Sequence, residues 1–130
     1  VTTASPMDRL EARQLAEAFF TASRRGDPDA LLGMLDPDVV LVSDGGGFVT
    51  AARRPIHGAD RVMRFVLGLT SRGGDTALVE PVTVSGSPGA RLWWDGRLFG
   101  VVALDVAGGR VRTISLVVNP HKLRRAAPVR

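Results

Sequence analysis

The sequence contains no cysteine and no tyrosine, and Lys122 is its only lysine. Without cysteine, disulfides, thiolate zinc sites and a cysteine nucleophile are all excluded. No apolar run approaches the roughly 20 residues needed to span a bilayer, and no charged-then-apolar signal segment opens the chain. Histidine, aspartate and glutamate do not occur at metal-ligand spacing, and no phosphate-binding loop or nucleophile elbow is present. These absences predict a cytoplasmic protein with no metal and no cofactor.

The cations are almost all arginine, and they give a formal net charge of +4. A basic balance can indicate a nucleic-acid partner. Here, however, the arginines occur as separated pairs (Arg24-Arg25, Arg53-Arg54, Arg124-Arg125) with acidic residues between them. No helix carries a cationic stripe, and no aromatic residues alternate with basic ones as stacking platforms. The pattern favours a solvated, arginine-rich surface over direct nucleic-acid contact.

At 130 residues the chain is long enough for one hydrophobic core and short for two. We find no internal repeat and no domain boundary. The sequence predicts a tail or linker at residues 1–7, one domain at residues 8–124 and a second tail at residues 125–130.

Three helices are predicted in the first 74 residues. Asp8 and Glu11 have the spacing of a capping box, and apolar residues then recur at helical spacing up to Gly26. Asp27-Pro28 starts a second helix, because an acceptor at the N-cap is followed by proline at the first helical position. A third helix follows Gly58.

The remaining segments are rich in β-branched residues and predict strands joined by turns. The predicted strands are residues 39–43, 48–52, 77–84, 90–94, 98–106 and 111–118. Gly86–Gly89, Asp95-Gly96 and Gly108-Gly109 are predicted to connect the last four. A sheet of this size must bury one face against the early helices. We therefore predict an α+β fold in which a strongly bent, mainly antiparallel sheet wraps three helices as a cone. The residues predicted to be buried include Phe19, Leu35, Val66, Leu104 and Leu116.

Two glycine- and proline-containing motifs make the prediction more specific. Asp44-Gly45-Gly46-Gly47-Phe48 follows the first strand, and Asn119-Pro120-His121-Lys122-Leu123 follows the last. Their order resembles the SnoaL-like C-terminal extension of extracytoplasmic-function RNA polymerase sigma factors, within the nuclear-transport-factor-like cone superfamily. That group has lysine where this chain has Phe48, and aspartate where it has His121, so any charge-dependent contact at these two positions differs here.

The resemblance implies a regulatory domain without catalytic activity. Such a domain packs against the promoter-binding sigma regions of its own polypeptide and modulates their engagement with core RNA polymerase. The expected contact residues are those of both motifs: Asp44, Gly45, Gly46, Gly47, Phe48, Asn119, Pro120, His121, Lys122 and Leu123. Phe48 would make this contact more apolar, and in an isolated domain it would favour a homodimer.

Two other functions remain open from the residues. A stand-alone SnoaL-like isomerase, cyclase or hydrolase would use Asp44 or His57 as its general base. Alternatively, the cone could bind a small hydrophobic ligand. We predict that no two of Asp44, His57, Asp95 and Asp105 lie within hydrogen-bonding reach around a pocket. Asp105 is expected to point to water, and the adjacent Trp93 and Trp94 are expected to face opposite sides of the sheet.

Overall fold

The computed structural model describes residues 6–44, 55–74 and 77–118. These ranges contain three helices and six strands in one mixed sheet. The elements are α1 (Pro6–Arg25), α2 (Pro28–Met34), β1 (Leu35–Asp44), β2 (Ile56–His57), α3 (Ala59–Gly73), β3 (Leu78–Val84), β4 (Ser87–Trp94), β5 (Arg97–Ala107) and β6 (Arg110–Val117). The predicted strand at residues 48–52 lies outside the described residues.

Local signals place the helix ends close to where the sequence predicts them. Gly26 follows α1 with a φ of 66°, a conformation that favours glycine. The side chain of Asp27 then accepts a hydrogen bond from the Ala30 amide at 3.2 Å and caps α2. Before α3, the Gly58 amide donates to the Val39 carbonyl at 2.8 Å, which joins the start of the helix to β1. The start of α1 at Pro6 is two residues earlier than predicted.

The strands follow the order β2-β1-β6-β5-β4-β3 in the sheet. Neighbouring strands are antiparallel, except that β1 and β6 run parallel. The three hairpins turn at Ser85-Gly86, Asp95-Gly96 and Gly108-Gly109, and all six residues have positive φ, as type I′ turns require. The predicted connection over Gly86–Gly89 is therefore wrong in its length. Two residues suffice for the turn, and Ser87, Pro88 and Gly89 already pair with β3.

The core lies between the concave face of the sheet and the helices α1 and α3. All five residues predicted to be buried are at most 8% exposed: Phe19, Leu35, Val66, Leu104 and Leu116. The alternation of side chains along a strand decides which sheet residues enter the core: Val102 and Leu104 of β5 face the helices, while Asp105 is exposed. The structure confirms the predicted α+β cone and the exposed position of Asp105.

Candidate functional site

The ends of β1 and β6 lie side by side. These parallel neighbours are in register, with Asp44 opposite Val117. Adjacent strands are about 4.8 Å apart, so the chain leaves both strands from the same end of the sheet. The two sequence motifs start at these points. Residues Gly45–Phe48 and Asn119–Leu123 themselves lie outside the described residues.

The residue immediately before the second motif is held in the core. Val118, which follows β6, is only 1% exposed. It packs where β5 has Gly100, a position at which a Cβ atom would lie 2.8 Å from the Val117 carbonyl oxygen and 3.2 Å from Val118 Cγ2. Glycine at this position therefore lets the end of β6 approach β5 closely. The point from which the second motif departs is fixed by packing.

The residues of the alternative catalytic site are spread across the sheet. His57, Val40, Thr113 and Asp105 occupy one row of paired positions on β2, β1, β6 and β5. His57 and Asp105 are thus three strand spacings apart, about 14 Å. Asp44 lies four residues along β1 from the partner of His57, about 13 Å away in the strand direction. Asp95 lies in the turn at the far end of β5. The strand register does not bring these residues together.

The closed space inside the cone is small and apolar, whereas an open groove of about 580 Å³ lies between α1 and the strands β3, β4 and β5, with Arg9, Arg13, Glu17 and Asp105 in its lining. A cavity of about 40 Å³ remains between α1, α3 and the sheet, lined mostly by aliphatic and phenylalanine side chains. Its two hydroxyl-bearing residues use their hydrogens within the helices: Ser23 Oγ donates to the Phe19 carbonyl at 2.9 Å, and Thr70 Oγ1 lies 3.1 Å from the Val66 carbonyl. Ligand pockets typically measure about 300–1,000 Å³. In the described part of the chain, no ionisable side chain lines this cavity.

The two tryptophans face opposite sides of the sheet, as predicted. Trp94 stacks on Phe99 with ring centroids 3.8 Å apart, and Phe99 packs against the core. Trp93 is on the outer face, where its Nε1 donates to Glu80 Oε1 at 3.0 Å. Arg91 approaches the same carboxylate at 3.5 Å. Trp93 is thus held by a polar cluster on the sheet surface.

Among the described residues, no group of histidine, aspartate and glutamate side chains could hold a metal ion. Nor do the described ranges include a helix with the length and apolar character needed to cross a membrane.

Comparison with known proteins identifies the relatives of this fold. No family model matches the chain. The "ECF RNA polymerase sigma factor SigJ" of Mycobacterium tuberculosis is 33% identical over 130 residues, which cover 85% of this chain and 40% of SigJ. "Probable ECF RNA polymerase sigma factor SigI" of the same species is 31% identical over 120 residues, covering 92% of this chain and 39% of SigI. The chain spans about two fifths of the length of these curated relatives.

The crystal structure of SigJ matches with a TM-score of 0.69 and 26% identity, over 87% of this chain and 44% of SigJ. The chain is homologous to the SnoaL-like domain of extracytoplasmic-function sigma factors. The same cone fold occurs in a SnoaL-like protein of Burkholderia thailandensis, with a TM-score of 0.64, 17% identity and coverage of 88% and 99%. It also occurs in a "putative ketosteroid isomerase" of Kribbella flavida, with a TM-score of 0.60, 18% identity and coverage of 86% and 80%. At such identity these last two matches show the fold alone.

The resemblance drawn from the two motifs is confirmed by these matches. The sequence assigned both motifs to one contact surface, but it did not predict the parallel pairing of β1 with β6 that makes them start side by side. A parallel pair needs a long connection, and here about 70 residues separate Asp44 from Val117. The β-branched composition of the two segments predicted that each is a strand, but it did not predict that they pair.

Replacing His57 by alanine is expected to change the free energy of unfolding by less than about 0.5 kcal/mol, as for other exposed positions. His57 is exposed in the two-residue strand β2, and its imidazole has no hydrogen-bond partner among the described residues. Urea unfolding of the two chains would measure the difference. Turnover of a polyketide-like substrate that disappears in this variant would instead support the enzymatic alternative.

Proposed function

We propose that this SnoaL-like domain is regulatory and not catalytic, and that it contacts the sigma regions of its own polypeptide to modulate their engagement with core RNA polymerase. The sigma-factor relatives support this proposal. The match covers 40% of SigJ, so the larger part of that polypeptide lies outside the matched domain. Those further regions are the partners that we propose for this domain.

The observation that carries the proposal is the pairing of Asp44 with Val117 on parallel strands. Because both motifs begin at one end of the sheet, a single partner surface could contact them together. The three glycines after Asp44 allow another backbone to approach closely. Pro120 has no amide hydrogen to donate to a β-ladder, and we propose that the segment from Asn119 contacts the partner. Phe48 adds an apolar group to this contact, and Lys122 and Leu123 extend it.

The small cavity supports the absence of catalysis. Acid–base chemistry needs a base within about 3 Å of the proton that it removes, in a pocket that holds substrate. The closed cavity of about 40 Å³ is too small for a substrate of the polyketide class. The open grooves of about 580 and 500 Å³ are large enough, but only the first contains Asp105 and neither contains His57. His57 and Asp105 lie on different strands, about 14 Å apart. We therefore favour regulation over an isomerase, cyclase or hydrolase activity.

The proposal is tested by promoter-dependent transcription in vitro, using the domain within its own polypeptide and core RNA polymerase. Gly46→Val should change transcription several-fold, because it blocks the close approach of a partner backbone. Deletion of the chain from Asn119 onward should change transcription with the same sign as Gly46→Val. Circular dichroism of the isolated domain should show that both variants fold.

Matched controls separate a contact effect from an effect on folding. Gly68→Val places the same side chain on an exposed position of α3 with nothing within 4 Å. Deletion of residues 125–130 alone removes only the predicted tail. Both controls should transcribe like the parent. The proposal fails if Gly46→Val and the longer deletion also behave like the parent, or if no sigma regions are encoded in frame with this domain.

A further inference from the structure

A groove of about 500 Å³ lies where α1 and α3 end. Its floor is formed by the start of β3 and the end of β4. The volume falls within the range of about 300–1,000 Å³ that is usual for small-molecule sites. The groove is lined by Ser23, Arg24, Arg25, Gly26, Leu67, Leu69, Thr70, Ser71, Gly74, Ala77, Leu78, Val79, Leu92 and Trp94.

The walls of this groove are apolar. Leu67 and Leu69 project from α3, and Leu92 and Trp94 from β4. The exposed face of the indole is available for contact, because its other face stacks on Phe99 at 3.8 Å. The groove shares Ser23, Leu69, Thr70, Val79 and Leu92 with the 40 Å³ cavity inside the cone. The inner end of a bound apolar chain would therefore meet the core.

The hydroxyl groups of the groove are already engaged. Thr70 Oγ1 lies 3.2 Å from the Ser23 carbonyl, Ser71 Oγ donates to the Gly68 carbonyl at 2.9 Å, and Ser23 Oγ donates to the Phe19 carbonyl. Hydroxyls committed in this way offer little to a polar ligand. Recognition of a polar group thus depends on the two charged residues of the lining.

Arg24 and Arg25 form a positively charged rim. Both side chains are exposed in the last turn of α1, and neither has an ion-pair partner among the described residues. The C-termini of α1 and α3 each contribute a partial charge of about −0.5. The two full positive charges of Arg24 and Arg25 outweigh these partial charges. No aspartate or glutamate of the described chain lines the groove.

We propose that the groove binds an amphipathic anion of the fatty-acid class, with its apolar chain against Leu69, Leu92 and Trp94 and its carboxylate at Arg24 and Arg25. This site does not depend on the sigma-factor role. It lies at the end of the sheet where β4, β6 and β1 terminate, which is also where the two motifs start. A ligand bound there would be close to the contact surface proposed above.

Trp94 provides a local reporter, because the chain has only two tryptophans. In the Trp93→Phe variant, dodecanoate added below its critical micelle concentration should change the fluorescence of Trp94 saturably. In the Trp94→Phe variant the change should be absent, although dodecanoate still binds by calorimetry. If loss of the Trp93–Glu80 hydrogen bond prevents folding of the first variant, calorimetry on the parent chain measures the dissociation constant of dodecanoate instead.

The charged rim is tested by a double substitution. Arg24→Gln with Arg25→Gln should raise the dissociation constant of dodecanoate roughly tenfold, since exposed ion pairs contribute up to about 1 kcal/mol each. The matched control, Arg61→Gln with Arg64→Gln, removes the same charge at exposed positions of α3 that line neither this groove nor the groove beside β5. It should leave the constant within a factor of two. Dodecyl maltoside, which has the same chain without a charge, should bind more weakly to the parent.

Three results would overturn the proposal. The first is absence of saturable binding. The second is equal affinity for dodecanoate and dodecyl maltoside with no loss in the Arg24 and Arg25 variant, which would show an apolar site without anion recognition. The third is a change in Trp94 fluorescence with protein concentration alone, together with loss of dodecanoate binding at high protein concentration. That result would show that a second copy of the chain covers the groove. Transcription is not needed for any of these measurements, so the site and the sigma-factor role can fail separately.

Discussion

Replacing Leu104 by alanine is expected to lower the free energy of unfolding by about 3 kcal/mol, within the 2–5 kcal/mol range for such core truncations. Leu104 is 1% exposed in β5, near the centre of the sheet, and its paired position Ile114 is 2% exposed. The neighbours of this side chain belong to different elements, so they cannot close the resulting cavity without moving strands or helices. Domains are typically stable by only about 5–15 kcal/mol, so this loss would be a large fraction of the total.

Leu78→Ala is the matched control for this prediction. Leu78 is 58% exposed on the edge strand β3, so the same change of side chain should cost well under 1 kcal/mol. Urea unfolding followed by circular dichroism measures both variants, with the slope checked for two-state behaviour. Equal losses in the two variants would mean that the core is not where the structure places it.

Much of this fold could be predicted because its signals are local. Asp27-Pro28 starts α2, since capping and a fixed proline φ act within one turn. Asp95-Gly96 and Gly108-Gly109 specify two hairpins, since few residue pairs adopt two successive positive φ values. Alternation of apolar residues then placed Leu104 and Leu116 in the core and Asp105 outside it.

What the sequence could not specify depends on distant partners. The turn between β3 and β4 was predicted to extend to Gly89, because proline and glycine usually interrupt strands. In the structure Pro88 and Gly89 are part of β4 and pair with Thr83 and Val82 of β3. The short strand β2 was also missed, since two residues carry no periodic pattern. Its pairing with Val40 and Leu41 follows from the position of α3 and not from its own composition.

The same contrast applies to the candidate sites. The two motifs were recognised as sequences, but their common starting point requires the parallel register of β1 and β6. The groove at the ends of α1 and α3 was not predicted at all. It is assembled from residues of four elements, and the pair Arg24-Arg25 looked like any other arginine pair of the surface. The sequence thus identified the segments, but it could not predict the surfaces that these segments form together.

Replacing Gly100 by valine is expected to destabilise the domain by about 2 kcal/mol and to displace the end of β6. Intrinsic strand propensity predicts the opposite, a gain of up to about 1 kcal/mol. Steric contact should prevail, because a Cβ atom at Gly100 would lie 2.8 Å from the Val117 carbonyl oxygen and 3.2 Å from Val118 Cγ2. Overpacking of a core typically costs about 1–3 kcal/mol.

Ala103→Val on the same strand is the control for propensity. Ala103 is half-buried and pairs with Ser115 on β6, so valine there should be neutral or mildly stabilising. Urea unfolding gives the stability of each variant, and amide hydrogen exchange at Val117 and Val118 reports the end of β6. Gly100→Val should speed exchange at these two amides, while Ala103→Val should not. Because Asn119 follows directly, the displaced strand end should also alter transcription in the assay proposed above. A stabilised Gly100→Val variant with unchanged exchange would show that β6 does not need glycine opposite its end, and that its position is set elsewhere.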